Sequence, residues 1–205
     1  MTAATPEAVP SETVPSETVP RTGNPFHAAL RRWPTVAGVV MAAFVAWGVT
    51  SGADIAPVLA ASGFVYIGSA AFRRRGAAWP VFFLSFVVIG AAGFTASEAA
   101  LGVWALIGIA VLFAAYGLVR GAARPAEGLP LQGLAMAGFG AVAVAVLLLG
   151  GDLGLYLVAA GLLGHAAWDV WHHRTERVVS RSLAEFCFVL DTLVAAAMIV
   201  VALQS

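Results

Sequence analysis

The stretch Gly164–Arg177, GHAAWDVWHHRTER, carries three of the chain's four histidines, together with Asp169, Trp168 and Trp171. His165, Asp169, His172 and His173 stand at i, i+4, i+7 and i+8. On a helix this spacing puts His165, Asp169 and either His172 or His173 on one stripe. Imidazoles beside carboxylates can do three kinds of work. They can ligate a divalent metal, with Zn, Fe or Mn suited to a mixed nitrogen and oxygen donor set and neighbouring carboxylates orienting the rings. They can pass protons or ions through a membrane interior. Or they can clamp two helices by hydrogen bonds with no further chemistry.

The partners that such a stripe needs follow in LAEFCFVLDTL, residues 183–193, which holds Glu185, Cys187 and Asp191. Counted inward from Arg174 and from Arg181, His165 and Asp191 lie at nearly the same depth. Asp169 lies level with Glu185 and Cys187. An antiparallel pair of helices therefore predicts that His165 meets Asp191. Cys187 and Asp191, at i and i+4, share a face, whereas Glu185 is turned away and is the weaker member. In the metal reading, His165, Asp169, His172 and His173 are the ligand candidates. Asp191 serves as ligand, orienting partner or general base, and Asp169 is the second acidic candidate.

The elements that must position these groups are membrane helices. Of 205 residues, 60% are hydrophobic and only 11% charged, against roughly 25% charged in a soluble domain. One globular core cannot hide that excess, so the expectation is an all-α polytopic bundle in lipid. Seven apolar runs approach the roughly 20 residues that a bilayer core requires: Thr35–Thr50, Ile55–Phe72, Ala78–Thr95, Ala99–Val119, Leu131–Leu149, Leu153–Trp171 and Leu183–Leu203. The first is short and could start near Arg32, with Trp33 as an anchor. The runs are continuous rather than alternating, which excludes a transmembrane barrel. Residues 1–24, with the repeat VPSETVPSETVP, have no apolar periodicity and predict a disordered tail rather than a signal peptide. Residues 25–205 form the membrane domain.

The charges orient this layout. Formal net charge is zero, but the arginines cluster: Arg21, Arg31 and Arg32 before the first run, Arg73–Arg75 after the second, Arg120 and Arg124 after the fourth, and Arg174, Arg177 and Arg181 after the sixth. The intervening connectors hold Asp54, Glu98 and Asp152 instead. All eleven basic residues thus fall on one side, which the positive-inside rule makes cytoplasmic, with the C-terminus outside. All are arginines. With the richness in Ala and Gly, this suggests a GC-rich bacterial genome, and the seven-helix bundle is then expected in the inner membrane. Nucleic-acid binding has no support, because these arginines are topogenic and not interleaved with stacking aromatics. The single cysteine, Cys187, excludes an intrachain disulfide.

Secondary roles follow from position. Trp168 and Trp171 read as interfacial anchors, and Trp168, being deeper, can also cover the polar group. Tyr66, Ser69 and Ser85 read as interhelical hydrogen-bond donors. Gly102, Gly108, Gly133, Ala137 and Ala141 predict close helix packing. His27, near Arg31, reads as a surface residue.

HAAWDVWHH, followed by Phe186–Cys187 and then Asp191, resembles a motif of small bacterial integral membrane proteins of unassigned function: H-A-x-W-D-x-x-H-H in one helix, then a cysteine and an aspartate in the next. The resemblance covers about the last forty residues and implies no activity. A looser likeness is to the seven-span ceramidase and adiponectin-receptor-like membrane hydrolases. That likeness would imply a metal near the cytoplasmic face activating water against a lipid-like or amide substrate. Those proteins split their histidine ligands between distant helices, which this chain does not, so the likeness rests on span count and site depth alone.

Overall fold

The computed structural model describes residues 32–96, 99–125 and 128–205, the side chains of residues 95 and 96 excepted. The tail, Arg21, His27, Arg31 and Glu98 lie outside the described residues. Seven α-helices follow in order: α1 (Trp33–Ala46), α2 (Gly52–Phe72), α3 (Ala78–Ala96), α4 (Ala99–Val119), α5 (Leu129–Leu149), α6 (Gly151–Thr175) and α7 (Arg181–Gln204). A 3₁₀ turn, Arg75–Ala77, precedes α3, and no strand occurs among the described residues. Helix is what such apolar runs must form, since lipid offers the backbone no hydrogen-bond partner and each segment must satisfy its own.

The helix ends are read from local chemistry. Asp54 accepts from the amides of Ser51 at 3.0 Å and Thr50 at 3.2 Å, which caps α2. Pro34 and Pro130 sit in the first turns of α1 and α5, where their missing N–H is no loss. Gly150, at φ 59°, makes the tight turn between α5 and α6.

Six of the seven helices are long and apolar enough to cross a bilayer. The first run, expected to be short and to start near Arg32, does start at Trp33 as α1 but ends four residues before Thr50. It has 14 residues, about 21 Å, against a hydrocarbon core of about 30 Å. The reason is local: Trp47 adopts an extended backbone and Gly48 a φ of 72°, so the helix stops at Ala46 instead of reaching Thr50.

Central to the bundle is α2. Nearly every side chain from Ile55 to Ala71 is enclosed, because α3, α4, α5 and α6 all pack against it. The broadest helix pair is α6 with α7, and α1 packs against α7. Most of the outward surface is apolar, as a lipid-facing surface must be; Phe94 is 96% exposed and Val119 87%. The arginine-bearing connectors gather at one end of the bundle, where Arg75 pairs with Glu176 at 3.5 Å. At the other end, Ser205 donates to Asp152 at 2.8 Å, tying the end of α7 to the start of α6.

Close packing by small residues is real but mostly falls elsewhere than the sequence suggested. A Cβ on Gly52 would stand 2.5 Å from the Gly154 carbonyl, and one on Gly38 2.8 Å from the Phe186 carbonyl. Gly102 does pack on Pro57 of α2, but Gly108 and Gly133 have open space above them. Gly133, Ala137 and Ala141 instead line an open apolar groove between α4 and α5, with Ile107 and Val111 opposite. A stripe of small residues permits close approach without requiring it.

These contacts give a first expectation. Gly52→Ala forces α2 and α6 apart and lowers stability by about 1–3 kcal/mol, measured by thermal unfolding in detergent. Gly108→Ala, in open space, leaves the midpoint unchanged or raises it, since alanine is the better helix former.

Candidate functional site

The polar groups of α6 and α7 meet in the interior of the bundle. His165 Nδ1 stands 2.7 Å from Asp191 Oδ2 and 3.2 Å from Asp169 Oδ2. All three residues are at most 1% exposed. His165 and Asp169, one turn apart on α6, share the stripe that their spacing predicts, and Asp191 reaches them from α7 at the matching depth. One donor atom from each of the three lies within 4.8 Å of the others.

From α2 comes a fourth member. The Tyr66 hydroxyl donates to Asp169 Oδ1 at 2.5 Å, and its ring stands edge-on to those of His165 and His172, with centroids at 5.2 and 4.6 Å. With Oδ1 so held, Asp169 turns Oδ2 toward the imidazole. That oxygen has no aligned hydrogen-bond donor, and His165 Nε2 has no hydrogen-bond partner; the His165 ring stands edge-on to those of Tyr66 and Phe139. Two buried polar atoms in one cluster thus lack hydrogen bonds, where native interiors leave few.

His172 lies on the same stripe one turn further along, fully buried, but its nitrogens are engaged elsewhere. Its Nδ1 is 3.0 Å from the Trp168 carbonyl, which can only accept, so Nδ1 carries the proton. Nε2 therefore accepts from the Gln132 amide of α5 at 3.1 Å. The Trp168 indole N–H closes the ring by donating to Gln132 Oε1 at 3.3 Å. Trp168 so belongs to this triangle, with its indole 5.2 Å from the His172 ring.

His173, the alternative to His172, falls about 80° round the helix from His165. It lines a cavity of about 450 Å³ with Arg32, Thr35, Arg174 and Glu185, into whose inner wall Asp169 also reaches. Glu185 accepts from Thr35 Oγ1 of α1 at 2.5 Å, so it ties α1 to α7 and stands apart from the cluster. Cys187 is buried on the face of Asp191, and both line a second cavity of about 390 Å³ among α1, α2, α3 and α7. Of the residues singled out by spacing, His165, Asp169 and Asp191 come together. His172, His173, Glu185 and Cys187 surround them without joining the donor set.

Two of the other donors behave differently from expectation. Ser69 donates to the Val65 carbonyl at 2.9 Å and Ser85 to that of Phe82 at 2.6 Å, within their own helices rather than between helices. Gln132 was not singled out at all. Its signal was present: it is the sole amide side chain inside the apolar runs, and it is completely buried.

The two cavities approach the cluster from opposite ends. The first runs inward from Arg32 and Arg174 to Asp169. The second runs from Asp54 past Val58, Ser62 and Ser85 to Asp191. His165 bridges the two carboxylates between them. No family model matches the chain, and neither a curated protein nor a solved structure does.

Removing the Tyr66 hydroxyl tests how the cluster is held. Tyr66→Phe keeps the ring and strips Asp169 of its one aligned donor. The expected cost is about 1–3 kcal/mol in unfolding stability. Tyr116→Phe, at a half-exposed ring, is expected to show none.

Proposed function

We propose that the protein is a multi-pass membrane protein whose buried His165–Asp169–Asp191 centre binds a divalent metal, and that this centre acts on a lipid-like or amide substrate. We further read the arginine-bearing end as cytoplasmic, the membrane as a bacterial inner membrane, and α1 as a seventh, short crossing that puts the C-terminus outside.

The observation that carries the metal reading is the donor set itself. Two carboxylates and one imidazole converge in an interior where isolated charge is costly. A protonated imidazole offsets one carboxylate and leaves the other unbalanced. A divalent cation with a neutral imidazole balances both. Asp169 Oδ2 has no hydrogen-bond donor and stands 3.2 Å from His165 Nδ1, within the same donor set, and the Tyr66 hydroxyl on Oδ1 is the kind of outer partner that orients a ligating carboxylate. One nitrogen and two oxygens suit Zn, Fe or Mn. Three protein ligands leave a coordination position for water or substrate. When bound, such an ion would polarise a carbonyl or generate a nucleophile from water. The Asp191 cavity, walled by Phe44, Phe82, Phe86 and Ile89, favours an apolar substrate.

A second reading is supported by the same two cavities. Approaching the cluster from opposite ends, with His165 between two carboxylates, they form the outline of a proton or ion path.

Elemental analysis of the purified protein decides the first reading. The expectation is about one equivalent of metal per chain, lost in His165→Ala and in Asp191→Asn and retained in Glu185→Gln. Metal at background in the wild type after incubation with Zn, Fe(II) and Mn in turn would rule it out. Proteoliposome flux decides the second: proton-coupled flux that Asp191→Asn abolishes favours a carrier, and its absence in the wild type removes that reading.

A further inference from the structure

A separate cavity of about 580 Å³ opens at the arginine-bearing end, where the α2–α3, α4–α5 and α6–α7 connectors meet. Five arginines line it: Arg73, Arg74, Arg75, Arg124 and Arg177. Glu176 is the only carboxylate among the described lining residues, and it is already taken up by Arg75 and by Arg181. Arg73, Arg74 and Arg124 make no ion pair among the described residues. A purely topogenic role asks only that arginines lie on the correct side of the membrane. It does not ask that three connectors distant in sequence bring them to one concave site.

The backbone is shaped to the same end. Arg73 closes α2 at φ 53° and Glu176 closes α6 at φ 49°, left-handed positions where glycine is the usual residue. An L side chain adopts that conformation only at a cost, and each of the two lines this cavity. The floor is made by Ser69, Leu129 and Thr175, so the site is recessed into the ends of the helices and not spread over the surface.

Planar guanidinium groups converging on a recess at headgroup depth are suited to a tetrahedral oxyanion, which they bind in bidentate fashion. We propose that this cavity is a binding site for a phosphate-bearing anion, held by Arg73, Arg74 and Arg124. The phosphate can belong to an anionic lipid headgroup or to a small soluble ester. The inference is independent of the metal centre deeper in the bundle.

The test uses the full chain in nanodiscs of phosphatidylcholine with and without phosphatidylglycerol, with bound lipid read by native mass spectrometry. Binding of inorganic phosphate is read by calorimetry in the lipid-neutral discs. The informative pair is Arg124→Gln against Arg120→Gln, which remove equal charge from the same connector, only the first from the cavity wall. The expected result is affinity reduced about fivefold in Arg124→Gln and unchanged in Arg120→Gln, with a larger loss when Arg73→Gln and Arg74→Gln are added. Phosphatidylglycerol retained against inorganic phosphate assigns the lipid. Binding of inorganic phosphate without lipid preference, lost in Arg124→Gln, assigns a soluble ester. Equal losses in the two single variants, or no binding of either probe by the wild type, overturn the proposal. The single variants alter exposed connector side chains, so they decide the matter even if the triple variant does not fold.

Discussion

Charge balance in the interior of the bundle governs this structure. Two carboxylates and an imidazole are buried among the helices, so they depend on one another, on the Tyr66 hydroxyl and on whatever cation or proton completes the set. Their depth, their facing directions and the helices that carry them follow from that dependence. Had either aspartate faced lipid, the cost at the bilayer centre would be about 2.5–3.5 kcal/mol on insertion scales.

The bundle can be read outward from this requirement. The hairpin of α6 and α7 supplies the ionisable groups, and its close pairing brings His165 and Asp191 to one level. Buried on nearly all sides, α2 delivers a tyrosine hydroxyl to the same place and fixes one carboxylate oxygen. From α5 comes Gln132, which binds His172 and Trp168 and leaves the upper cluster to three residues. The remaining helices mostly present apolar side chains to lipid and wall off the centre. Chemistry is concentrated in few positions because most positions in such a chain are solvent-facing in an apolar solvent.

The sequence disclosed the parts governed by strong, local rules. Continuous apolar runs bounded by arginines or small polar connectors located the helices to within a few residues, because lipid leaves no alternative to helix. The pairing of His165 with Asp191 was legible from depth alone, since both were counted from arginines at one boundary. What stayed hidden depended on rotation and on partners from distant helices. Whether His172 or His173 shared the stripe with His165 hung on a difference of one residue. Tyr66 read as an ordinary donor because nothing near it in sequence names its acceptor. Gln132 passed unremarked among alanines and glycines. The early end of α1 was set by a turn at Gly48 inside a run that hydropathy treats as uniform.

The triangle of Trp168, Gln132 and His172 has an electrical consequence. Both imidazole nitrogens are occupied, one by a carbonyl and one by an amide N–H, so the ring presents no vacant lone pair. It stands one turn from Thr175 and the arginine-lined recess, and on its other side one turn from Asp169. Already satisfied, it stands between the acidic centre and the arginine-bearing end of the molecule. Both cavities that reach the carboxylates are bordered by α1, the shortest α-helix among the described residues.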